Sequence, residues 1–310
     1  MMWKVGVFMT LKKIMVAGGG TLGSQIAYQA AFHGKDVILY DISDEALMQA
    51  RERIEKLSPS YQFDLRATPE MTDQAESRIQ LTKDMPAAAA DVDLVIESIP
   101  EVPKIKKAFY QQLAPLLPEK ALIATNSSTF LPSTFAADTG RPDKYLALHF
   151  ANTIWLRNTV EIMGHPGTDM GVVNALFDFS REIGMIPVIL HKEQPGYILN
   201  SLLVPFLNAA YKLWGTDVAD AHTIDRVWML ATGAPRGPFA VIDVVGLRTS
   251  YEIFSQQTDP VSIAVAAKIK DRINRGYLGM ESGQGFYHYP NPEYMQSGFL
   301  TGEGRTTTLA

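Results

Sequence analysis

Lys12-Lys13-Ile14-Met15-Val16-Ala17-Gly18-Gly19-Gly20-Thr21-Leu22-Gly23 decides the fold, because a short apolar strand enters a Gly-x-Gly-x-x-Gly turn and leaves it as helix-forming sequence. Each glycine answers a different demand. Gly18 permits the tight turn, Gly20 lets backbone approach a pyrophosphate, and Gly23 lets the helix pack close to the strand. The start of that helix, at Thr21 and Leu22, presents free N–H groups to phosphate oxygens. A glycine turn of this kind also occurs with no ligand, so its flanks carry the decision. Ser24 to Phe32 reads as an amphipathic helix and Asp36-Val37-Ile38-Leu39-Tyr40-Asp41 as the second strand. Asp41 falls about 20 residues beyond the glycines, where a carboxylate accepts from both ribose hydroxyls and repels a 2'-phosphate. No Arg stands beside it at Ile42, Ser43 or Asp44, so NAD is expected rather than NADP.

The chain of 310 residues is 46% apolar, enough for a substantial core, and its length fits two domains better than one. A formal charge of -5 gives no reason to expect nucleic acid or an anionic membrane as partner. The absence of cysteine rules out disulfides and thiolate metal sites, and no His or carboxylate spacing points to another metal. No apolar run is long enough to cross a bilayer, and the default location is the cytoplasm. Residues 1-11 are read as a leader outside the fold.

Beyond Asp41 the pattern alternates. Ser43-Asp44-Glu45 caps a helix expected to end near Lys56, followed by a polar stretch, 58 to 78, that carries Pro59 and Pro69 with a helical segment from Met71 to Ser77. Strands are predicted at Ile79 to Thr82, Asp93 to Glu97 and Ala121 to Thr125. A short helix from Ala87 to Ala90 and one from Pro103 to Leu117 stand between them. Alternation of this kind predicts an α/β, Rossmann-type doubly wound sheet. Tyr145 to Phe150 and Asn158 to Met163 then read as a hairpin-like pair, followed by a helix, about Asp169 to Ile183, and a last strand, Ile186 to Leu190. After a linker at His191 to Gly196 everything is helical, so the expected organisation is a dinucleotide-binding domain over 12-192 and an all-α C-terminal domain over 193-289. Residues 290-310 are expected to form a polar, flexible tail. The helix from Tyr197 to Leu213 is apolar nearly all round, which predicts burial by its own domain or by a partner subunit.

Substrate should meet the cofactor at the C-terminal edge of such a sheet. Ser128, His149 and Glu161 all sit at strand ends there, and the hairpin lets His149 and Glu161 face each other. A histidine beside a buried carboxylate gains basicity and a fixed tautomer, as a general base near neutral pH requires. Taken singly, His149 would be a satisfied core histidine and Glu161 a solvated strand residue; their pairing shifts the balance.

Asn126-Ser127-Ser128, His149-Phe150-Ala151-Asn152 followed by Val160-Glu161, Pro195-Gly196-Tyr197-Ile198-Leu199-Asn200, Gly237-Pro238-Phe239 with Asp243 and Gly246-Leu247, and Gly283-Gln284-Gly285-Phe286-Tyr287 occur in a fixed order. That series, spanning residues 12 to 289, resembles the L-3-hydroxyacyl-CoA dehydrogenases, those acting on 3-hydroxybutyryl-CoA included. The resemblance implies NAD-dependent oxidation of a 3-hydroxyl, with His149 as base held by Glu161. Ser128 and Asn200 would bond near the reacting oxygen, and Asn152 would position substrate or cofactor. Glu101 and Lys106 match positions lining the cofactor site, and the helical domain would form a homodimer interface and a wall of the acyl site. Taken alone, Asn200 would be a structural amide in an apolar helix. Fatty-acid metabolism and β-oxidation, with an acyl-CoA thioester as substrate, follow from the same resemblance.

Three positions depart from the family pattern. Thr153 stands where proline usually follows the asparagine, Ser201 where arginine commonly follows Asn200, and Glu281 where many members carry lysine. The helix after Ser43 offers only Arg51, Arg53 and Lys56 for a CoA phosphate. A free β-hydroxy acid as substrate, or an NAD-binding protein without catalysis, are therefore the alternative readings.

Overall fold

A computed structural model describes residues 11–302, and contact density divides the chain into two compact units between Ile198 and Leu199. The first unit is built on one eight-stranded sheet. Its strands are β1 (Lys13–Ala17), β2 (Asp36–Tyr40), β3 (Ile79–Thr82), β4 (Leu94–Glu97), β5 (Leu122–Thr125), β6 (Tyr145–Phe150), β7 (Thr159–Met163) and β8 (Ile186–Leu190), in the order β3-β2-β1-β4-β5-β6-β7-β8. The first six strands in that order run parallel, and β7 turns back antiparallel to β6 with β8 parallel to β7. Strand order reverses direction between β1 and β4, which opens a crevice at their C-terminal ends.

Alternation along each strand builds two cores. Ile14, Val16, Leu39, Leu94, Ile96 and Leu122 face one layer of helices, while Met15, Ala17, Tyr40, Val95 and Ile123 face the other. Against the first layer lie α1 (Thr21–Phe32), α2 (Asp44–Leu65), α3 (Pro69–Ser77) and α6 (Met170–Glu182). Against the second lie α4 (Met85–Ala89) and α5 (Pro103–Leu113).

Three expectations need correction. Helix α2 does not stop near Lys56 but continues through Pro59 to Leu65. A proline inside a helix costs about 3 kcal/mol; Pro59 is exposed, and Leu57 and Tyr61 on either side are buried, each contributing roughly 1.5–3 kcal/mol. Tyr61 also donates to Gln29 Oε1 and packs on Tyr28, with ring centroids 4.7 Å apart, so tertiary packing outweighs the local penalty. Leu11 is not part of a leader, being 1% exposed in the core with its carbonyl accepting from Lys35 Nζ at 2.9 Å. The remainder of the expected leader, residues 1–10, lies outside the described residues, as do residues 303–310 of the expected tail. Residues 290–302 do not form a loose tail: Tyr294 and Phe299 are buried in the helical unit, where Arg226 Nε donates to Phe299 O at 2.7 Å.

The second unit contains most of α7 (Tyr197–Gly215), then α8 (Ala221–Thr232), α9 (Pro238–Val245), α10 (Leu247–Ser255) and α11 (Pro260–Asn274). Buried Asp225 organises it. Its carboxylate accepts from Phe239 N and Ala240 N, capping α9 from α8, and from Tyr287 Oη. Burial pushes the Asp225 carboxyl up to about 6 against the opposing pull of those donors. Asp243 does the same for the chain after α11, accepting from Phe286 N, Tyr287 N and Tyr289 Oη. Among the described residues no helix is long and apolar enough to cross a membrane.

Candidate active site

The turn after β1 meets each geometric demand of a dinucleotide site. Gly18 has φ +100°, and a Cβ there would lie 2.5 Å from Ser98 O. A Cβ on Gly23 would lie 1.9 Å from Gly18 O, so only glycine lets α1 pack this close to the strand. At Gly20 a Cβ would meet nothing within 4 Å, which leaves open space beside the backbone where phosphates would lie. Helix α1 has no side-chain cap and no acid in its first turn, whereas α2, α3, α4, α6, α8 and α11 are all capped by a Ser, Thr or Asp side chain. The N–H groups at Thr21 and Leu22 are thus left for an anion.

A cavity of about 880 Å³ opens over this turn, lined among others by Gly18, Gly20, Leu22, Asp41, Glu101, Lys106 and Ser128. Ser98, directly after β4, lines it too, and its Oγ is buried with no hydrogen-bond partner. A buried hydroxyl without a partner costs stability unless a ligand in the adjoining cavity supplies one, which fits a bound dinucleotide. Asp41 sits at the far end with Oδ2 accepting from Gly19 N and Oδ1 from Ile42 N, both at 2.7 Å.

The β6–β7 hairpin places His149 directly opposite Glu161 in the register. His149 Nδ1 lies 3.0 Å from Glu161 Oε2, and both residues are 5% exposed. Because an ionised carboxylate only accepts, the imidazole proton sits on Nδ1 and Nε2 keeps its lone pair. Nε2 in turn lies 3.0 Å from Ser128 Oγ, on the cavity wall. The other Glu161 oxygen accepts from Ile198 N at 2.8 Å, in the first turn of α7. Glu101 fastens the loop carrying Ser128, accepting from Ser127 Oγ at 2.9 Å and Ser128 N at 3.0 Å.

Several residues stand differently from the sequence reading. Lys106 lines the cavity, but it is fully buried with Nζ 2.7 Å from Glu97, whose carboxylate also accepts from Tyr110 Oη and Thr125 Oγ1. Its charge is engaged by that acid. Asn152 is outside the cavity lining; its Oδ1 accepts from Gln25 Nε2 at 2.7 Å, joining the loop after β6 to α1. Asn200 lies in the first turn of α7, on the helical side of the division at Ile198 and Leu199.

The sequence reading gave no role to Tyr197 and considered Arg53 only for a CoA phosphate. Tyr197 stacks on His149 with ring centroids 4.3 Å apart and 14° between planes, and its hydroxyl donates to Ser127 O at 2.7 Å. Burial raises its phenol far above the usual range, so it stays a donor. The signal was Gly196 before an aromatic at a helix start, where backbone at φ 77° and 56° turns the ring inward. Arg53 lines the cavity near Asp41 although twelve residues separate them.

Oxidising an alcohol carbon needs an acceptor for the hydride and a base for the proton. This edge of the sheet has room for both, and the protein is an NAD-dependent oxidoreductase. The profile of the NAD-binding domain of 3-hydroxyacyl-CoA dehydrogenase matches residues 13–194, and that of its C-terminal domain residues 196–289. The chain belongs to the 3-hydroxyacyl-CoA dehydrogenase family. It is 32% identical to the mitochondrial hydroxyacyl-coenzyme A dehydrogenase of Sus scrofa, over 90% of this chain and 91% of that one. It is 30% identical to a probable 3-hydroxybutyryl-CoA dehydrogenase of Deinococcus radiodurans, over 89% and 100%. Among solved structures it is similar to a diketoreductase described as acting on dicarbonyl compounds, at 46% identity and a TM-score of 0.86, covering 91% of this chain and 100% of that one. The (S)-3-hydroxybutyryl-CoA dehydrogenase of Ralstonia eutropha gives 27% identity and a TM-score of 0.76 over 90% and 99%.

Proposed function

We propose that the protein oxidises the 3-hydroxyl of a short L-3-hydroxyacyl-CoA to the 3-oxo compound, with His149 as base. The observation that carries this is the chain Glu161, His149, Ser128, with 3.0 Å at each step, ending on the cavity wall. Bound NAD supplies a nicotinamide that accepts the hydride. Glu161 holds the imidazole with Nε2 toward the cavity and stabilises the imidazolium that forms when the substrate proton arrives. Ser128 bonds the reacting oxygen, Asn200 serves as a second donor, and Asn152 orders the loop after β6. At the other end Gly18, Gly20 and Gly23 seat the pyrophosphate with Thr21 and Leu22, and Asp41 receives the adenosine ribose. Glu101 acts on the site by fixing Ser128, and Lys106 by neutralising Glu97 under the floor. Breakdown of fatty acids or butanoate by β-oxidation in the cytoplasm is the metabolic setting of this reading.

The 46% identity to a diketoreductase favours a second reading, the same hydride transfer on a β-hydroxy or β-dicarbonyl compound without CoA. Arg53, one of the three cations available for a CoA phosphate on α2, lies instead in the cavity over the glycine turn, beside Gly19. NADH formation measured with matched 3-hydroxyacyl thioesters and free acids separates the two. The base is tested by His149→Gln, expected to lower kcat by roughly 10²- to 10⁴-fold while NADH still binds; undiminished turnover would remove His149 from the mechanism.

A homodimer is part of the proposal. Helix α7 was expected to be covered on every side, yet Leu202 is 70% exposed and Ile198, Leu199 and Val204 between 43% and 46%. A second copy of the chain would cover that apolar surface.

A further inference from the structure

The structure places a guanidinium beside the glycine turn, although no Arg is adjacent to Asp41 in the chain. Helix α2 starts at Asp44, capped by Ser43 Oγ accepting from Ala46 N at 3.1 Å, and presents Ala46, Gln49, Ala50 and Arg53 on one face. That face packs on the glycine turn. A Cβ on Gly19 would lie 2.6 Å from Ala50 Cβ, and Ala46, Gln49 and Arg53 line the cavity.

Gly19 joins the two charges of interest. Its N–H donates to Asp41 Oδ2 at 2.7 Å and its carbonyl accepts from Arg53 Nη1 at 3.1 Å, so carboxylate and guanidinium are fastened to the two ends of one residue. Arg53 Nη2 has only a long contact, 3.5 Å to Gln49 Oε1, and among the described residues no carboxylate is ion-paired with the guanidinium. A half-buried arginine without a counter-charge, beside the residue that reads the ribose, is arranged as a phosphate group would require. Asp44, the next acid along α2, is engaged by Lys83 Nζ at 2.5 Å.

We infer that Asp41 alone excludes a 2'-phosphate from a pocket in which Arg53 could already hold one, so that the choice of NAD over NADP rests on a single carboxylate. The inference rests on NAD occupying this cavity. With Asp41 present, a 2'-phosphate meets a like charge whose oxygens are fixed by two backbone donors and cannot swing away. With a neutral residue at position 41, the guanidinium held beside Gly19 offers Nη2 and its remaining N–H groups to a phosphate.

The test is fluorescence titration of NADH and NADPH into the full chain, the Asp41→Ser variant and the Asp41→Ser/Arg53→Ala double variant. Asp41→Ser is expected to tighten NADPH by roughly tenfold to a hundredfold and to make that binding more salt-sensitive than NADH binding. The double variant is expected to lose the gain. Should Asp41→Ser fail to fold, judged by circular dichroism, Asp41→Asn keeps one acceptor for the backbone and replaces it. No gain for NADPH in a folded variant that still binds NADH overturns the inference, as does a gain that survives removal of Arg53. Failure of the unaltered chain to bind NADH would instead overturn the assignment of the cavity.

Discussion

Glu161 has two oxygens and two tasks, one toward His149 Nδ1 and one toward Ile198 N. Glu161→Gln keeps an acceptor for one of them and removes the charge that, in the proposed mechanism, steadies the imidazolium. A fall in kcat of roughly 10²- to 10⁴-fold, with the affinity for NADH unchanged, is expected from stopped-flow and binding measurements. A variant with normal kcat would reduce Glu161 to a strand residue. The pairing itself was readable in sequence, because two apolar runs with a short loop between them make a hairpin and a hairpin opposes its ends. Tyr197 was not readable as a stacking partner, since it reaches His149 only through a left-handed backbone at its own position. Arg53 was named only for a CoA phosphate, and its place by the glycine turn was missed for another reason: a search beside Asp41 looks along the chain, while helix α2 brings back a residue from its third turn.

At the scale of the element, local rules located nearly every strand and helix, and failed where a distant contact outbid them. Pro59 is the case in point: proline chemistry stops the helix at Lys56, and the burial of Leu57 and Tyr61 carries it on to Leu65. Asp225 is another device that no periodicity shows, one helix capping the next through a carboxylate that burial pushes up to about 6. Its sign matters for stability. An acid that titrates higher when folded binds protons more readily in the native state, so folding loses stability as pH rises from about 4 to 6 and levels off above. The loss is on the order of 3 kcal/mol for a shift of this size. Thermal melts across that range should show the slope, and Asp225→Asn should flatten it. The same variant should be less stable at neutral pH by about 1–3 kcal/mol, because an amide NH2 then faces a backbone N–H. An unchanged slope would mean that another group titrates.

For the whole molecule, the order of elements and the division into a sheet-bearing and a helical part were legible from alternation followed by its end. What composition could not show was how α7 would be covered, since an apolar helix reads alike whether its own domain or a second chain lies against it. Leu202 at 70% exposure shows that its own chain leaves part of it open. Sedimentation is expected to give the mass of a dimer, and Leu202→Lys to give that of a monomer with helical content retained. A monomeric unaltered chain would end the proposal. The stretch after residue 290 teaches the same lesson from the other side. Polar composition predicted looseness, but over residues 290–302 Tyr294 and Phe299 are buried and Arg226 bonds the Phe299 carbonyl.

The hairpin that opposes His149 and Glu161 also separates two kinds of inheritance. Side chains alternate along a strand, so a slip of one residue between β6 and β7 would turn His149 and Glu161 to opposite faces, and residues 151–158 can change only in ways that keep this register. Thr153 illustrates that latitude: its φ of 63° and its N–H donated to Gln25 Oε1 are both denied to the proline usual there. The sequence of the loop is thus open to change at positions such as this one, while its span is held by the facing of His149 and Glu161.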